Sequence, residues 1–293
     1  MSGSSNVRFF QARPRDAPQA ARMTILVTGA TGKVGSRLAR RLAARGLRVR
    51  AFVRDPARAA LGDIALAVGD LLDPGTLSKA VAGVDAIVHC AALFRGATPE
   101  QAHATNDLGT QHLARAAIAA GVKRFLFTST GLVYGPTAGK LAREDDTCNP
   151  IAAYPVSKLA AERFLLSLDL DVRVLRLPFV YGDGDAHIVE AVPMMRTFPP
   201  EQRMSIAHHV DVAQAIALVL EKSPSHRIYN VCDDEAVDNA TLFASVGQPP
   251  PDGSGAERAR AFESVMDGTR LRDDLGFKPV FPRLADAVVK GDV

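Results

Sequence analysis

Two side chains in the middle of the sequence are suited to acid–base chemistry. Tyr154 and Lys158 are four residues apart, and residues at this spacing share one face of a helix. A free tyrosine has a pKa of about 10, which is too high for an efficient base near neutral pH. A neighbouring ammonium favours the phenolate, so the spacing predicts that Lys158 lowers the pKa of Tyr154. The same spacing also occurs in surface pairs, so the pair alone does not define a site.

A hydroxyl group at the end of a predicted strand is the next candidate. Residues 125–128 are typical of a buried strand, and Thr130 follows within the run Thr128-Ser-Thr-Gly131. Parallel sheets bind ligands beyond the carboxyl ends of their strands, so Thr130 is suitably placed to hydrogen-bond a reacting oxygen. Ser129 is the alternative at the neighbouring position.

A glycine-rich run near the start of the sequence is typical of a phosphate-binding turn. It follows the apolar run 24–28 and precedes an amphipathic stretch that ends at Gly46. Its early glycines permit a close approach of backbone to a pyrophosphate, and Gly35 permits close packing of helix on strand. The helix start offers N–H groups and a positive dipole to phosphates. The cofactor contacts predicted in this turn are Gly29, Thr31, Gly32, Lys33, Val34 and Gly35.

The end of the second predicted strand distinguishes NAD from NADP. A carboxylate there usually binds the ribose 2′-hydroxyl of NAD, whereas an arginine suits the 2′-phosphate of NADP. Arg54 occupies this position, so the sequence favours NADP over NAD. Asp55 follows directly and is the alternative partner for a hydroxyl. Asp70, after the third predicted strand, is suitably placed to accept from the adenine amino group or to cap a helix.

These candidates fall at the junctions of alternating strands and helices. Predicted strands cover 24–28, 47–53, 86–90, 125–128, 172–177 and 227–231, with long helices over about 99–120 and 210–220. This alternation indicates parallel βαβ units and an α/β fold with a doubly wound parallel sheet. Proline-rich loops follow. We expect a dinucleotide-binding domain over 23–178 and mainly a substrate lobe over 179–293, of which about 208–231 returns to the core.

Composition and charge exclude several classes of protein. The chain has 293 residues and no apolar run long enough to span a membrane. The first 22 residues hold four arginines and one aspartate, which accounts for the whole net charge of +3. The neutral remainder argues against nucleic-acid binding. Residues 1–22 lack the apolar region of a secretory signal and are expected to be a disordered leader, with an Arg-rich transit peptide as the alternative.

The cysteines and histidines predict no metal site. The three cysteines are widely spaced without a Cys-x-x-Cys pair, which indicates reduced thiols and a cytoplasmic protein. His208 and His209 lack a further ligand at metal-binding spacing, and Asp211 is expected to cap the next helix. His89 and His187 are expected to be packing or loop residues.

The sequence from about Met23 to the C-terminus resembles the extended short-chain dehydrogenase/reductases. This superfamily includes sugar-nucleotide epimerases, dehydratases, 3β-hydroxysteroid dehydrogenases and dihydroflavonol reductases. The motifs that carry the resemblance are TGATGKVG at 28–35, Gly69-Asp-Leu71, His89-Cys-Ala-Ala92, Asn106-Asp-Leu-Gly-Thr110, Thr130 with Val133-Tyr-Gly135, Tyr154 with Lys158, LRLPFVYG at 175–182, and His209-Val-Asp-Val-Ala213. The resemblance implies a Rossmann fold and an oxidoreductase that uses NADP or NAD.

The resemblance also implies a role for each candidate. Tyr154 is the general acid/base, Lys158 binds the nicotinamide ribose and tunes the tyrosine, and Thr130 orients the substrate oxygen. Asn106 supports the helix that carries Tyr154. Asp70 contacts the adenine. The remaining expected cofactor contacts are Leu71, Ala91, Ala92, Pro178 and Val180.

Three functions are compatible with these motifs, because fold and cofactor do not fix the substrate. The first is an NADP-dependent reductase or dehydrogenase for a small carbonyl or hydroxyl compound, working as a monomer or a homodimer. The second is a sugar-nucleotide epimerase or dehydratase that retains NAD. Phe179 stands where such enzymes often have asparagine, and Arg196 and Arg203 are the candidate cations for a diphosphate. The third is a dinucleotide-sensing regulator, which has no need of the intact catalytic set.

Overall fold

The computed structural model describes residues 23–94 and 96–293, and a parallel sheet lies at their centre. The strands are β1 (Thr24–Thr28), β2 (Arg48–Val53), β3 (Ala65–Val68), β4 (Ala86–His89), β5 (Arg124–Thr130), β6 (Asp171–Leu177), β7 (Phe179–Tyr181), β8 (Arg203–Met204), β9 (Ile206–His208), β10 (Ile228–Asn230) and β11 (Val237–Asp238). Seven of them form one sheet in the order β10-β6-β5-β4-β1-β2-β3. The strands β2 and β3 are added on one side of β1, and the strands from β4 onwards are added on its other side. Nucleotide ligands bind in such folds at this point, between β1 and β4. The predicted doubly wound α/β fold is confirmed.

The α-helices of the described ranges lie either on the two faces of this sheet or in a separate apolar cluster with Tyr181. They are α1 (Lys33–Ala44), α2 (Pro74–Val81), α3 (Pro99–Ala102), α4 (Gly109–Ala119), α5 (Ala153–Leu166), α6 (His187–Met195), α7 (His209–Glu221), α8 (Asn239–Ala244), α9 (Ala256–Ala259), α10 (Thr269–Leu275) and α11 (Leu284–Lys290). Side chains point alternately to the two faces of the sheet, so residues of β1 pack in two core layers. Ile25 packs in the layer that contains Leu38 of α1, and Leu26 packs in the layer that contains Leu77 of α2.

The helix predicted over 99–120 is interrupted by a π-helical turn. Residues His103–Leu108 form this turn between α3 and α4. A π turn inserts one extra residue and changes the direction of the side chains that follow. Asn106 lies within it and is fully buried. Apolar periodicity alone cannot reveal such an insertion.

The later part of the chain contributes to two bodies of packing. β10 pairs with β6 in the main sheet, and α7 packs in the same core layer as α1. A separate apolar cluster contains Tyr181, Phe198 and Phe243. The division into domains at residue 178 remains a prediction, and the leader 1–22 lies outside the described residues. Across the described ranges, no helix combines the length and apolar character needed to cross a bilayer.

The start of α7 differs from the sequence prediction. Asp211 does not cap the helix; the cap is His208, whose Nδ1 accepts a hydrogen bond from Val210 N at 3.2 Å. The Asp211 carboxylate is buried and accepts from the backbone N–H groups of Val280 at 2.6 Å and Phe281 at 3.0 Å. Asp211 therefore anchors a distant segment of the chain to α7.

Candidate active site

A cavity of about 240 Å³ lies beyond the carboxyl ends of the central strands. Residues that follow or end β4, β5 and β6 line it, including Cys90, Thr130 and Leu177. Tyr154 and Lys158 of α5 line it as well. The fold therefore brings together the hydroxyl, phenol and ammonium groups that the sequence singled out.

Tyr154 lies in the first turn of α5, where Pro155 is tolerated because its missing N–H is not needed. Its ring packs against that of Phe94, with 4.5 Å between centroids. Burial raises the pKa of Tyr154 to about 12. This is opposite to the lowering predicted from Lys158, because burial disfavours the phenolate. The phenol is consequently protonated at neutral pH and able to donate a proton.

Lys158 is a buried cation that faces the cavity. The residue is 1% exposed, and its Nζ has no hydrogen-bond partner among the described residues. Nζ lies 3.9 Å from the centroid of the Phe127 ring. Burial lowers the pKa of Lys158 to about 7. An unpaired buried ammonium is unfavourable by itself, so its three donor positions suit the hydroxyl groups of a bound ribose.

Ser129 and Thr130 both line the cavity and both are buried, but their hydroxyls differ. Thr130 Oγ1 accepts a hydrogen bond from Leu132 N at 3.2 Å and so caps the short 3₁₀ turn Gly131–Tyr134. Ser129 Oγ has no partner within the described chain. Thr130 keeps its hydroxyl proton to donate, so both groups remain candidates for the oxygen of a substrate.

Asn106 acts from behind the cavity wall. Its Oδ1 accepts from Leu93 N at 2.7 Å, and its Nδ2 donates to Leu93 O at 2.9 Å and to Ser157 Oγ at 3.0 Å. Ser157 Oγ in turn donates to Tyr154 O at 2.7 Å. Asn106 is not among the described residues that line the cavity. Its contacts make it a positioning residue that joins the segment after β4 to the start of α5.

The glycine-rich turn has the close packing that the sequence predicted. Gly29 has φ +67°, and a Cβ there would lie 2.6 Å from Ala91 N. A Cβ at Gly35 would lie 2.3 Å from Gly29 O. Within the described part of the chain, no side chain caps α1, and its first turn has no acidic residue. Its N–H groups therefore fit the pyrophosphate of a dinucleotide.

Lys33 has partners that the sequence did not predict. Its ammonium forms an ion pair with Asp185 and a second one with Glu190 at 3.1 Å. Asp185 is buried, and its Oδ2 accepts from His209 Nε2 at 2.8 Å. Burial alone would raise the pKa of Asp185. Hydrogen bonds from His209 and Lys33 instead hold this pKa well below its usual range. Asp185 and His209 line the cavity, yet only the fold brings them to Lys33.

The far end of the predicted cofactor site lies beyond β2 and β3. Arg54 is exposed and has no hydrogen bond or ion pair in the described ranges. Asp55 Oδ1 instead accepts from Ala57 N at 3.0 Å and caps a short turn. Asp70 Oδ1 accepts from Leu72 N at 2.9 Å. Of the two candidates for the ribose 2′ position, Arg54 is the one whose side chain has no partner in the described ranges.

The other predicted cofactor contacts divide into two groups. Val34, Ala92, Pro178 and Val180 line the cavity. The other three are not among the described residues that line the cavity. Ala91 N donates to Thr28 Oγ1 at 3.2 Å, and Thr31 is exposed. The Leu71 side chain packs in the core beside α4. The Leu71 side chain is used in core packing, and a cofactor contact from this residue stays a prediction.

Apolar side chains form the distal part of the cavity. This apolar wall consists of Phe179, Met194, Met195, Phe198, Met204 and Phe262. Arg196 and Arg203 are not among its described lining residues. Arg196 donates to Pro249 O at 3.2 Å, and Arg203 donates to Ala236 O at 3.0 Å. The two arginines considered for a diphosphate are thus engaged elsewhere.

His187, which the sequence predicts to be a packing or loop residue, lies in the cavity wall. It opens α6, and its ring stacks on that of Phe179 with 4.2 Å between centroids. Its Nδ1 donates to Val180 O at 2.8 Å. His89, by contrast, is fully buried between Thr28 and Thr110. Burial lowers its pKa well below the usual value, as suits a neutral packing residue.

Comparison with known proteins agrees with this geometry. The sequence profile described as the NAD dependent epimerase/dehydratase family matches residues 25–232. The chain belongs to this family. It is accordingly an NAD(P)-dependent oxidoreductase of the extended short-chain dehydrogenase/reductase type.

Similar sequences and structures include reductases and a nucleotide-sugar complex. The chain is 32% identical to the 3-diazoavenalumate denitrifying reductase of a Streptomyces species, over 91% of this chain and 99% of that protein. It is 30% identical to the 4-hydroxy-2-methyl-3-oxo-4-farnesyl-3,4-dihydroquinoline-1-oxide ketoreductase of Stigmatella aurantiaca, over 74% of this chain and 70% of that protein. The structure of MoeE5 in complex with UDP-glucuronic acid and NAD is similar with a TM-score of 0.78 and 28% identity, over 91% and 96% of the two chains.

Proposed function

We propose that this protein is an NADP-dependent reductase of apolar carbonyl compounds. The observation that carries the proposal is the apolar wall, from which Arg196 and Arg203 are turned away. A diphosphate in a buried site requires cationic partners, whereas an apolar wall favours a substrate that gains from leaving water. Lys33 lines the cavity too, but Asp185 and Glu190 already offset its charge.

The relatives include enzymes for both substrate classes, apolar carbonyl compounds and nucleotide sugars. The two similar enzymes named above are a reductase and a ketoreductase, and the name of the second specifies a 3-oxo group and a farnesyl chain. MoeE5 holds UDP-glucuronic acid instead. A nucleotide sugar is therefore the competing substrate class, and the lack of available cations in the described apolar wall argues against it.

The residues of this chain supply positioning and a proton. When bound, the nicotinamide dinucleotide supplies the hydride. The Tyr154 hydroxyl, held protonated by burial, donates its proton to the carbonyl oxygen of the substrate. Thr130, with Ser129 as the alternative, hydrogen-bonds the same oxygen and orients it. Lys158 Nζ binds the ribose hydroxyls, and the apolar wall excludes water from the reacting carbonyl.

The cofactor preference rests on Arg54. It is exposed just beyond the carboxyl end of β2, and in the described chain no carboxylate neutralises it. Asp55, which would favour NAD, already caps a turn. An arginine binds the 2′-phosphate of NADP through charge-assisted hydrogen bonds that NAD cannot make.

A substrate panel tests the reaction class. Purified protein is incubated with NADPH and either apolar aliphatic and aromatic ketones or UDP- and dTDP-sugars, and nicotinamide absorbance and product mass are followed. We expect turnover of ketones and no conversion of nucleotide sugars. Conversion of a nucleotide sugar, with the ketones untouched, would replace this proposal with the epimerase/dehydratase function.

Two arginine variants test the cofactor preference. Hydrogen bonds to charged groups contribute roughly 1.5–3 kcal/mol, so we expect Arg54→Ala to weaken NADPH binding about 10–100-fold. NADH binding should stay unchanged. Arg48→Ala removes the same charge at the opposite end of β2 and should alter neither affinity. Equal affinities of the unmodified protein for NADPH and NADH contradict the assignment.

A further inference from the structure

One cavity-lining serine has a hydroxyl that neither the proposed cofactor contacts nor the acid–base chemistry uses. Ser264 lies in the segment after the 3₁₀ turn Arg260–Phe262 and is 5% exposed. It lines the cavity next to the apolar wall. Its Oγ has no hydrogen-bond partner among residues 23–94 and 96–293. A buried hydroxyl without a partner is unfavourable, so a site that retains one is suited to a polar ligand atom.

The backbone holds this serine firmly on the cavity wall. Ser264 O accepts from Ser205 N at 2.7 Å, and the following residue, Val265, accepts through its O from Ala142 N at 2.8 Å. The neighbouring Ser205 hydroxyl is different, because its Oγ accepts from Met266 N at 2.8 Å. The Ser205 hydroxyl therefore binds the backbone of the cavity wall, whereas the Ser264 hydroxyl has no hydrogen-bond partner in the described ranges.

Ser264 also lies close to the reacting end of the cavity. A Cβ built on Gly131 would lie 2.5 Å from Ser264 Oγ and 2.4 Å from Met266 Sδ. Gly131 directly follows Thr130, which caps the turn that Gly131 begins. Any larger residue at 131 would push the segment 264–266 away. The Ser264 hydroxyl therefore lies beside the residue that directly follows Thr130.

We propose that Ser264 is a second substrate-binding residue that hydrogen-bonds a second oxygen of the substrate, close to the carbonyl being reduced. The substrate class that fits is an apolar β-dicarbonyl compound, such as a β-ketoester or β-diketone. Tyr154 and Thr130 bind the ketone oxygen, Ser264 donates to the other carbonyl, and the apolar wall holds the hydrocarbon part. This inference rests on the proposed reductase function.

The second oxygen fixes which way the substrate lies in the cavity. An apolar wall is non-directional, so a simple ketone has few contacts that distinguish its two sides. A hydrogen bond from Ser264 is directional and holds one side of the ketone beside residues 264–266. The Ser264 side chain undergoes no chemical change during the reaction. Its effect is therefore on binding and orientation, and the expected signature is selective for substrates that carry the second oxygen.

Two matched substrates test this inference. The first is a methyl β-ketoester with a pentyl chain, and the second is the ketone in which propyl replaces the ester group. For Ser264→Ala, we expect kcat/KM to fall about tenfold for the ketoester and to stay within about twofold for the ketone. The intrinsic reactivities of the substrates cancel, because each is compared between variant and unmodified protein.

A second variant separates hydrogen bonding from packing. Ser264→Cys nearly preserves the side-chain volume but offers only a weak donor, so it should show the same selective loss. Melting temperature and NADPH affinity should be unchanged in both variants. Equal losses on both substrates, or no loss on either, overturn the role of Ser264 while leaving the reductase function intact. If the unmodified protein reduces neither compound, the reductase function itself fails and this inference fails with it.

Discussion

Two groups of buried polar side chains, which contain Glu162 and Lys158 from successive turns of α5, differ in whether they are paired. In the Arg176 network, Arg176 binds Glu162 through contacts of 2.8 and 3.2 Å. Tyr134 donates to Asn230 at 2.7 Å within the same network. The cavity group, which comprises Lys158, Ser129 and Ser264, has no hydrogen-bond partners in the described ranges. Buried polar groups are nearly always paired, so three unpaired side chains on the wall of one cavity indicate where ligand atoms belong.

Burial has opposite electrostatic outcomes in these two groups. Burial alone would lower the pKa of Arg176, but its ion pair with Glu162 raises that pKa above the usual value. Lys158 has no comparable partner, and burial lowers its pKa to about 7. The buried charge of the Arg176 network is therefore compensated within the fold, whereas that of Lys158 in the cavity group is not. Variants in each group should separate activity from stability.

The largest expected effect is on catalysis. Tyr154→Phe removes one hydroxyl from the cavity and keeps the ring that packs on Phe94. General acid–base groups contribute roughly 10²–10⁴-fold in rate, so turnover should fall by that factor. NADPH affinity and the free energy of unfolding should remain unchanged. Full turnover by this variant on an accepted ketone would remove Tyr154 from the chemistry.

The next largest effect is on stability alone. Glu162→Gln leaves the buried Arg176 without a compensating charge, and breaking one side of such a pair costs about 3–5 kcal/mol. Urea unfolding measures the loss. Glu221→Gln, which loses only a half-exposed ion pair with Arg45 at 3.8 Å, should change the free energy of unfolding by less than about 0.5 kcal/mol. Similar values for the two variants would contradict the assigned role of the Arg176 network.

Lys158→Met should stabilise the ligand-free protein and weaken NADPH binding. The pKa of Lys158 falls from about 10.5 in the unfolded chain to about 7 in the fold, so the unfolded state holds more protons between these values. Stability of the unmodified protein therefore rises with pH across this window. The gain from the substitution, up to about 5 kcal/mol, should be largest near and below pH 7 and vanish towards pH 10.5. A pH-independent difference in unfolding free energy would argue against an unpaired cation.

The smallest expected effect distinguishes the two hydroxyls on β5. Ser129→Ala breaks no hydrogen bond within the described protein and should change the free energy of unfolding by less than about 0.5 kcal/mol. Thr130→Val removes the cap on Leu132 N and should cost about 1 kcal/mol. Thermal unfolding compares the two. The greater loss of turnover on a common ketone then identifies which hydroxyl orients the substrate, and we expect Thr130.

The sequence predicts the sheet well because its signals are local. The apolar run before Gly29 and the glycine spacing after it specify β1, the turn and α1 over a dozen residues. Tyr154 and Lys158 are predicted for the same reason, since one helix fixes their relation. The doubly wound order then follows from repeated βαβ connections.

The remaining features depend on contacts between distant parts of the chain. The sequence predicts a helix cap at Asp211, but the carboxylate accepts from N–H groups about 70 residues later. The pairing of Lys33 with Asp185 and the placement of Ser264 beside Gly131 also join segments that no local pattern relates. The π turn around Asn106 is invisible for a different reason, because the spacing of apolar residues is helical on each side of the inserted residue.

The chain of contacts from Lys33 through Asp185 to His209 has a consequence for how the protein unfolds. It joins the first turn of α1 to the start of α7 and, through Glu190, to α6. If the later lobe detached alone, a buried carboxylate would lose both of its cationic or hydrogen-bonding neighbours at once. Unfolding of either part of the chain therefore leaves the other part with a buried charge that has lost its partner. Calorimetry should accordingly show one heat-absorption peak, with equal calorimetric and van't Hoff enthalpies, instead of separate transitions for two lobes.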